Sequence, residues 1–288
     1  MRSILNCWIA IYILVHACFA SSDNKTASLV MDAKSEEVLH SHNADEPRYP
    51  ASLTKIMTIY LAFEALEAGV ISHNDKIVVS SYAASQPRTN MNLRAGEVIS
   101  VKDAIMGMIV HSSNDAAVAI AEEISGSEEK FADLMTRKAR SLGMYNTVFR
   151  NATGLPNPEQ QTTAYDMAKL GVAMKSDFPK YYKLFSVTEY NFKGRRLVSH
   201  NHVVKNYENI DGLKTGYINA SGFNLVSSAS DHNQQVIGVV MGGNTARERD
   251  DKMVRLLNKF VDIKKTLVRK ITKKKTAKAK KKVTKNKA

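Results

Sequence analysis

Apolar residues recur at two different periods along the chain, and these periods separate strand regions from helix regions. Near the beginning, residues 27–33 predict a strand and 34–37 a turn into a second strand, so the chain opens with a hairpin. In the middle, apolar residues three and four positions apart predict helices. The predicted helices are 53–63, 101–110, 114–124, 128–141, 163–174 and 249–260, and the later predicted strands are 184–192, 196–199, 212–217, 223–230 and 236–241.

This order of elements predicts the fold class. Strands at both ends of a helical middle indicate an α+β fold, in which an antiparallel β-sheet is flanked by helices and a helical lobe around Ser112 is inserted. The chain has 288 residues, of which 44% are hydrophobic. That is enough for one sizeable core, and no internal repeat divides it.

The N-terminal segment differs from the body of the chain. Residues 1–20 combine an early Arg2, an apolar run and small residues ahead of a polar stretch, which is the layout of a secretory signal peptide. We expect cleavage after Ala20. The alternative is a retained membrane anchor, for which the run is short. Both cysteines lie in this segment, so the mature chain is expected to have neither a disulfide nor a cysteine-based metal site.

The C-terminal segment 263–288 holds the basic excess of the chain. Residues 264–288 contain thirteen Lys or Arg and no acid, which equals the formal net charge of +13, so the preceding residues sum to zero. The segment has too few apolar residues for a core. We expect a single domain at 21–262 and a Lys-rich disordered tail after it. Behind a signal peptide, the expected partner of the tail is an anionic membrane surface or wall polymer, and no nucleic acid is expected.

The first candidate for chemistry is Ser52-Leu-Thr-Lys55, at the start of the helix after Pro50. Residues three apart share one helix face, so the hydroxyl and the amine can meet. The helix N-terminus also favours negative charge that develops nearby. Ser-x-x-Lys is a weak pattern by itself, because it also begins at Ser22 and at Ser127. Only Ser52 follows a proline-delimited loop and opens an apolar helix.

Two further motifs follow in the chain. Ser112-Ser-Asn114 lies at a predicted break between helices, where a helix cap is the alternative interpretation. Lys214-Thr-Gly216 lies on a predicted strand, where Gly216 leaves room for a ligand beside the backbone; the alternative is a strand that runs into a turn. In this order, the three motifs resemble the set that defines the penicillin-binding proteins and serine β-lactamases.

The residues around the motifs narrow the resemblance. Over roughly residues 27–260, the chain is similar to the D-alanyl-D-alanine carboxypeptidases among the low-molecular-mass penicillin-binding proteins. This resemblance implies a β-lactamase/transpeptidase-like fold. The stretches that carry it are 51–58, 111–117, 151–156, 211–216 and 222–226.

The resemblance also implies catalytic roles. Ser52 would attack the carbonyl of the penultimate D-Ala, with Lys55 as its base, because a serine hydroxyl alone is a poor nucleophile. Ser112 would relay the proton to the leaving amine. Lys55 must be neutral to accept a proton, which requires a pKa about 3 units below its usual value of about 10.4. Burial and the second cation at Lys214 would both lower that pKa.

Other residues are implied in substrate binding: Asn114, Lys214, Thr215, Gly216, Tyr217 and Arg249. Asn114 would hold the side-chain amide of the acyl group, and the backbone N–H groups of Ser52 and Tyr217 would form an oxyanion hole. Lys214, Thr215 and Arg249 would bind the free carboxylate, for which a bidentate arginine is well suited. Arg247 is close enough in sequence to be an alternative.

The implied function is a serine-type D-Ala-D-Ala carboxypeptidase that trims peptidoglycan stem pentapeptides and that β-lactams inhibit covalently. We expect it in the periplasm or on the outer face of a bacterial cytoplasmic membrane. The alternatives are an endopeptidase that cuts cross-links and a catalytically idle wall- or membrane-binding protein. A β-lactamase is disfavoured, because no Glu in 151–163 is arranged as a deacylating base. We expect no cofactor or metal, and we expect His200 and His202 at the surface.

Overall fold

The computed structural model describes residues 25–266, so the predicted signal peptide and most of the predicted tail lie outside the described residues. The strands are β1 (Ala27–Asp32), β2 (Val38–His42), β3 (Lys76–Val78), β4 (Val98–Ser100), β5 (Glu189–Phe192), β6 (Arg195–Val198), β7 (Ile210–Ile218), β8 (Gly222–Ser230) and β9 (Gln235–Gly243). The helices are α1 (Thr54–Glu67), α2 (Ser81–Ala84), α3 (Val101–Met106), α4 (Asn114–Ser125), α5 (Glu128–Ser141), α6 (Ala164–Asp177), α7 (Pro179–Tyr182), α8 (His202–Asn206) and α9 (Ala246–Leu257).

A five-stranded antiparallel sheet joins the two ends of the described chain. Its strand order is β2-β1-β9-β8-β7, so the first hairpin pairs with the last strand and β7 forms one edge. The chain leaves the sheet after β2 and returns at β7, and most of the helices lie between these two strands. The predicted α+β class, with an antiparallel sheet and an inserted helical lobe, is therefore confirmed.

Alternating side chains divide the core between the two faces of the sheet. Leu29 and Met31 of β1 belong to the larger cluster, whereas Val30 between them belongs to a smaller cluster on the other face. Successive strand residues point to opposite faces, which explains this division. Gly171 of α6 packs so closely that a Cβ there would lie 2.8 Å from Ile237, and Gly238 packs equally closely on α9. The sheet therefore carries α6 on one face and α9 on the other.

The helical lobe consists largely of α2 to α5 and a small antiparallel sheet of β3 and β4. The sequence patterns did not predict these two strands. Side chains cap the N-termini of α2, α3 and α5, whereas α4 begins without a side-chain cap. Ser100 and Asp103 form a capping box at α3, and Ser127 accepts from the backbone N–H of Lys130 at α5. These caps satisfy N–H groups that the first helical turn leaves without partners.

Two predicted elements differ from the observed ones. The strand expected at 184–192 is only β5, because residues 183–186 form a short 3₁₀ turn. In that turn Phe185 is buried and packs edge-on against Phe63, 6.4 Å between ring centroids. The last helix begins at Ala246 instead of residue 249, because the Thr245 side chain caps it by accepting from the backbone N–H of Glu248.

The described chain ends in a paired segment. The backbone N–H of Glu208 donates to the carbonyl of Lys264 at 2.9 Å, and that of Thr266 donates to the carbonyl of Asn206 at 2.8 Å. The ordered body thus reaches at least four residues past the predicted boundary at 262, because the backbone there finds hydrogen-bond partners. Within residues 25–266, no helix is both long and apolar enough to cross a membrane.

Candidate active site

Ser52 lies in a tight turn at the entrance to α1. Residues Ala51–Leu53 form one 3₁₀ turn that runs directly into the helix. Ala51 has a φ of +49°, a left-handed conformation that non-glycine residues rarely adopt. Such strain is concentrated at functional sites. Gly154 supports the turn from the other side, since a Cβ there would fall 1.9 Å from the Ala51 carbonyl oxygen.

Lys55 follows one helical turn after Ser52 and is completely buried. Its Nζ lies 3.4 Å from Ser52 Oγ and donates to Asn114 Oδ1 at 2.7 Å and to the Thr153 carbonyl at 2.6 Å. Burial lowers the pKa of Lys55 well below its usual value, and the charge of Lys214 lowers it further. A neutral amine within reach of the hydroxyl can accept its proton.

Ser112 and Asn114 lie where the helical lobe meets α1. A π-helical turn at Gly107–His111 ends at Ser112, whose φ of +63° is left-handed. Asn114 then begins α4, and its backbone N–H donates to the Thr89 carbonyl at 2.7 Å. Its side-chain amide bridges two regions, because Oδ1 accepts from Lys55 and Nδ2 donates to the Pro87 carbonyl at 2.9 Å.

The edge strand β7 closes the other side of the site. Gly216 packs on the Ser52 turn so closely that a Cβ would lie 3.1 Å from both the Pro50 carbonyl oxygen and the Ser52 nitrogen. Lys214 is buried, and its ammonium donates to the Thr215 carbonyl at 2.8 Å. Burial, with a smaller contribution from the charge of Arg249, lowers the pKa of Lys214 to about 7.

Arg249 reaches the site from α9 on the far face of the sheet. It is buried, and its Nη1 donates to the Asn224 carbonyl at 2.9 Å. Its Nε lies 2.8 Å from Asp250 Oδ1, an ion pair without the alignment of a hydrogen bond. Arg247, the alternative, is 92% exposed and lies 3.8 Å from Asp251. Of the two arginines, only Arg249 lines the cleft that Ser52 also lines.

All nine predicted residues meet at one cleft of about 490 Å³. Lys55 and Lys214 lie buried beneath its wall, each within hydrogen-bond distance of a cleft-lining residue. The predicted residues that line the cleft are Ser52, Ser112, Asn114, Thr215, Gly216, Tyr217 and Arg249. The site thus offers a hydroxyl next to the buried amine of Lys55, facing the buried amine of Lys214 and the buried guanidinium of Arg249.

Comparison with known proteins shows the family of the chain. A model of the D-alanyl-D-alanine carboxypeptidase family matches residues 18–245. The chain belongs to this family. It is 39% identical over 269 residues to the D-alanyl-D-alanine carboxypeptidase DacF of Bacillus subtilis, covering 87% of this chain and 68% of that protein. It is also 39% identical over 245 residues to DacC of Escherichia coli, covering 83% of this chain and 61% of that protein.

Solved structures of carboxypeptidases and penicillin-binding proteins share the fold. The D-alanyl-D-alanine carboxypeptidase DacD from Francisella tularensis superposes with a TM-score of 0.78 at 32% identity, covering 81% of this chain and 69% of that one. Penicillin-Binding Protein D2 from Listeria monocytogenes, solved in an ampicillin-bound form, superposes with a TM-score of 0.70 at 29% identity. That superposition covers 81% of this chain and 95% of the Listeria chain. The chain spans about three fifths to two thirds of the length of these two curated relatives.

This carboxypeptidase-family cleft also contains residues to which the motifs gave no role. Thr153 supplies the carbonyl that accepts from Lys55, and Asn151 shapes its loop by accepting from the backbone N–H of Gly154 at 2.7 Å. Residues 151–156 are one of the stretches that resemble the carboxypeptidase family, but only the three-dimensional contact with Lys55 shows what Thr153 does. Asn151 and, three positions later, Gly154 were the signal in the sequence, because both residue types are typical of turns.

His200 and His202 are exposed, as predicted, and both also line the cleft. Desolvation by the cleft wall and the neighbouring charge of Lys214 lower the pKa of His200 to about 4, so it is neutral at pH 7. Among residues 25–266, no group of three or more His, Cys, Asp or Glu side chains is arranged to hold a metal ion.

Proposed function

We propose that the chain is a serine D-Ala-D-Ala carboxypeptidase acting through an acyl-enzyme on Ser52. The hydroxyl attacks the penultimate D-Ala carbonyl as its proton passes to Lys55. The bond to the terminal D-Ala then breaks, the leaving nitrogen takes a proton through Ser112, and water releases the shortened peptide. The observation that carries this proposal is the fully buried Lys55, whose Nζ lies 3.4 Å from Ser52 Oγ. That separation is compatible with proton transfer, because such contacts tighten when substrate binds.

Substrate orientation is proposed to come from the opposite wall of the cleft. Lys214, Thr215 and Arg249 would bind the free carboxylate, and Asn114 would hold the amide of the acyl group. The Arg249 guanidinium and the protonated form of Lys214 attract an anion strongly, since little solvent screens them. A bound carboxylate would in turn raise the pKa of Lys214 from about 7, so substrate binding and protonation favour each other. The backbone N–H groups of Ser52 and Tyr217 would stabilise the oxyanion.

Mass spectrometry after incubation with a penicillin tests the nucleophile. We expect a covalent adduct on the wild-type protein and none on Ser52→Ala, with the Listeria protein's ampicillin-bound form as the supporting precedent. Ser85→Ala, in the exposed turn after α2, is the matched control and should label like wild type. An adduct that persists in Ser52→Ala would place the nucleophile elsewhere. Absence of both adduct and penicillin hydrolysis in wild type would favour the idle wall-binding alternative.

Defined peptides distinguish a carboxypeptidase from an endopeptidase, because both reactions use the same residues. We expect release of free D-Ala from a pentapeptide ending in D-Ala-D-Ala, with slower cleavage of a cross-linked dimer. Faster cleavage of the dimer would assign the chain to the endopeptidases. Rapid turnover of penicillin, instead of a long-lived adduct, would favour a β-lactamase.

The site of action is proposed to be the periplasm or the outer membrane face, with the Lys-rich tail on an anionic surface. The support is the charge count: thirteen cations and no acid in 264–288. Sedimentation with vesicles containing anionic lipid, or with isolated cell wall, is the test. Deleting 267–288, which keeps the paired residues up to Thr266, should abolish low-salt binding to one of these surfaces. Unchanged sedimentation with both would contradict the proposal.

A further inference from the structure

Glu128 is a buried carboxylate in the first turn of α5, at the back of the catalytic cleft. It connects two segments that are distant in sequence. Its Oε1 accepts from the backbone N–H of Ala152 at 2.8 Å, and its Oε2 accepts from the Tyr82 hydroxyl at 2.7 Å. None of the three motifs contains Glu128, and its neighbour Glu129 is exposed. A buried carboxylate is costly unless it is well paired, so its position calls for a role.

The Ala152 contact leads directly to Lys55. Ala152 precedes Thr153, whose carbonyl accepts from Lys55 Nζ at 2.6 Å. The other side of Ala152 is also fixed, because its carbonyl accepts from Thr58 Oγ1 at 2.7 Å. Glu128 and α1 therefore hold the same peptide segment from two directions. Displacement of this segment would move the carbonyl that orients the Lys55 amine.

Charge provides a second link between the two residues. Burial and Lys214 lower the pKa of Lys55, whereas the carboxylates of Glu128 and Asp115 act in the opposite direction. These charges reach Lys55 from three elements: β7, α5 and α4. Around Glu128 itself, the titratable neighbour on α2 is Tyr82, whose pKa its carboxylate raises to about 12. Removing only the charge of Glu128 should therefore shift the titration of Lys55 while the other charges that act on Lys55, those of Lys214 and Asp115, stay in place.

We propose that Glu128 is a positioning residue for the catalytic lysine, holding the 151–154 loop against Lys55 and tuning the ease with which Lys55 gives up its proton. The inference rests on the proposed role of Lys55 as the base for Ser52. Glu128 acts through the Thr153 carbonyl and through its charge; it does not touch the substrate. It would set the pH range over which Ser52 can be acylated.

Acylation by a fluorescent penicillin, measured as a second-order rate constant against pH, tests the inference. Glu128→Gln keeps an oxygen for Ala152 and removes the charge, so the acidic limb should move to lower pH by roughly half a unit or more. The sign follows from the loss of a negative charge that favours protonated Lys55. Glu129→Gln is the matched control, on the same helical turn but exposed, and its profile should coincide with wild type.

Glu128→Asp distinguishes the effect of side-chain length from that of charge. It also keeps the test usable if Glu128→Gln does not fold. It keeps the charge but is one methylene shorter, so the acidic limb should stay near that of wild type while the plateau rate falls roughly 10-fold. If Glu128→Gln and Glu128→Asp both show the same acidic limb of the pH profile and the same plateau acylation rate as Glu129→Gln, the positioning role is wrong. If wild type and Glu129→Gln form no adduct at any pH, the proposed function has failed instead.

Discussion

Lys55 lies in the first turn of α1 and Ser52 in the 3₁₀ turn that runs directly into it, whereas Ser112 and Asn114 flank a break between two helices. In the first region, the spacing of three residues already brings the hydroxyl and amine to the same face. In the second, a π-helical turn and a left-handed Ser112 set the geometry. The same cleft thus combines a locally determined pair with one that depends on distant contacts.

The irregular region is held by residues that lie outside its own motif. Asp115, directly after Asn114, is buried and accepts from the backbone N–H groups of Met91 and Leu93. Thr89 accepts from the backbone N–H of Asn114 and donates through its hydroxyl to the Ser112 carbonyl at 2.8 Å. Substitutions in the two regions should therefore have different signatures: loss of chemistry alone around Lys55, and combined loss of chemistry and stability around Ser112.

Lys55→Met should have the largest effect on activity. We expect the rate of penicillin acylation to fall about 10³-fold, because Ser52 loses its base. The free energy of unfolding should change by no more than about 2 kcal/mol, since relief from burying an amine offsets the lost hydrogen bonds to Asn114 and Thr153. The measurements are acylation kinetics and urea denaturation of the same preparation.

Lys76→Met on the exposed face of β3 is the control for that substitution. It adds the same side chain at the surface, so both acylation and unfolding should match wild type within experimental error. Acylation of Lys55→Met within 10-fold of wild type would show that another group takes the proton. A collapse in its stability would remove the proposed difference between the two regions.

Asp115→Ala tests the irregular region. It leaves the buried N–H groups of Met91 and Leu93 without their acceptor, so we expect the free energy of unfolding to fall by about 3 kcal/mol. Acylation should fall as well, because Asn114 loses its support. Asp133→Ala, an exposed residue of α5, should change the free energy by no more than about 0.5 kcal/mol. Full stability with Asp115→Ala would mean that the motif holds its own shape.

The same contrast decides what could be predicted from the sequence. The helix after Pro50, the strands of the sheet and the hairpin at the beginning follow periods that a short window reveals. Lys214-Thr-Gly216 was correctly expected on a strand, and it lies in β7. The geometry of these elements depends on residues that are close in the chain. The resemblance to a known family predicted that their motif residues meet at one site.

Residues that act across long sequence distances could not be predicted in this way. Glu128 lies 24 positions from Ala152, and Lys55 lies 98 positions from the Thr153 carbonyl. No periodicity encodes such contacts, because they arise only when separate elements pack. Arg249 was anticipated from the family resemblance alone, whereas its hydrogen bond to the Asn224 carbonyl, 25 positions away, arises only from the packing of α9 against the sheet.

Lys214 gives a third test with a smaller expected effect. It lies on a regular strand, and the free-energy cost of burying its charged form should make the stability of the protein depend on pH. Its pKa is about 7 in the folded protein against 10.5 for an ordinary lysine, so the unfolded chain binds more protons between these values. Stability should therefore rise with pH in this window, by up to about 1.4 kcal/mol per pH unit for one proton. In Lys214→Met, urea denaturation should show a slope reduced by up to that amount. Lys55, which is shifted in the same direction, keeps part of the rise.

The control for this linkage is Lys130→Met on the exposed side of α5, which should retain the wild-type slope. An unchanged slope in Lys214→Met would mean that Lys214 remains protonated throughout the window in the folded protein. Its burial would then have to be balanced by a stronger anionic partner than the Thr215 carbonyl to which it donates. A reduced slope would instead show that a regular strand, like the helix of Lys55, can hold a buried lysine in its neutral form.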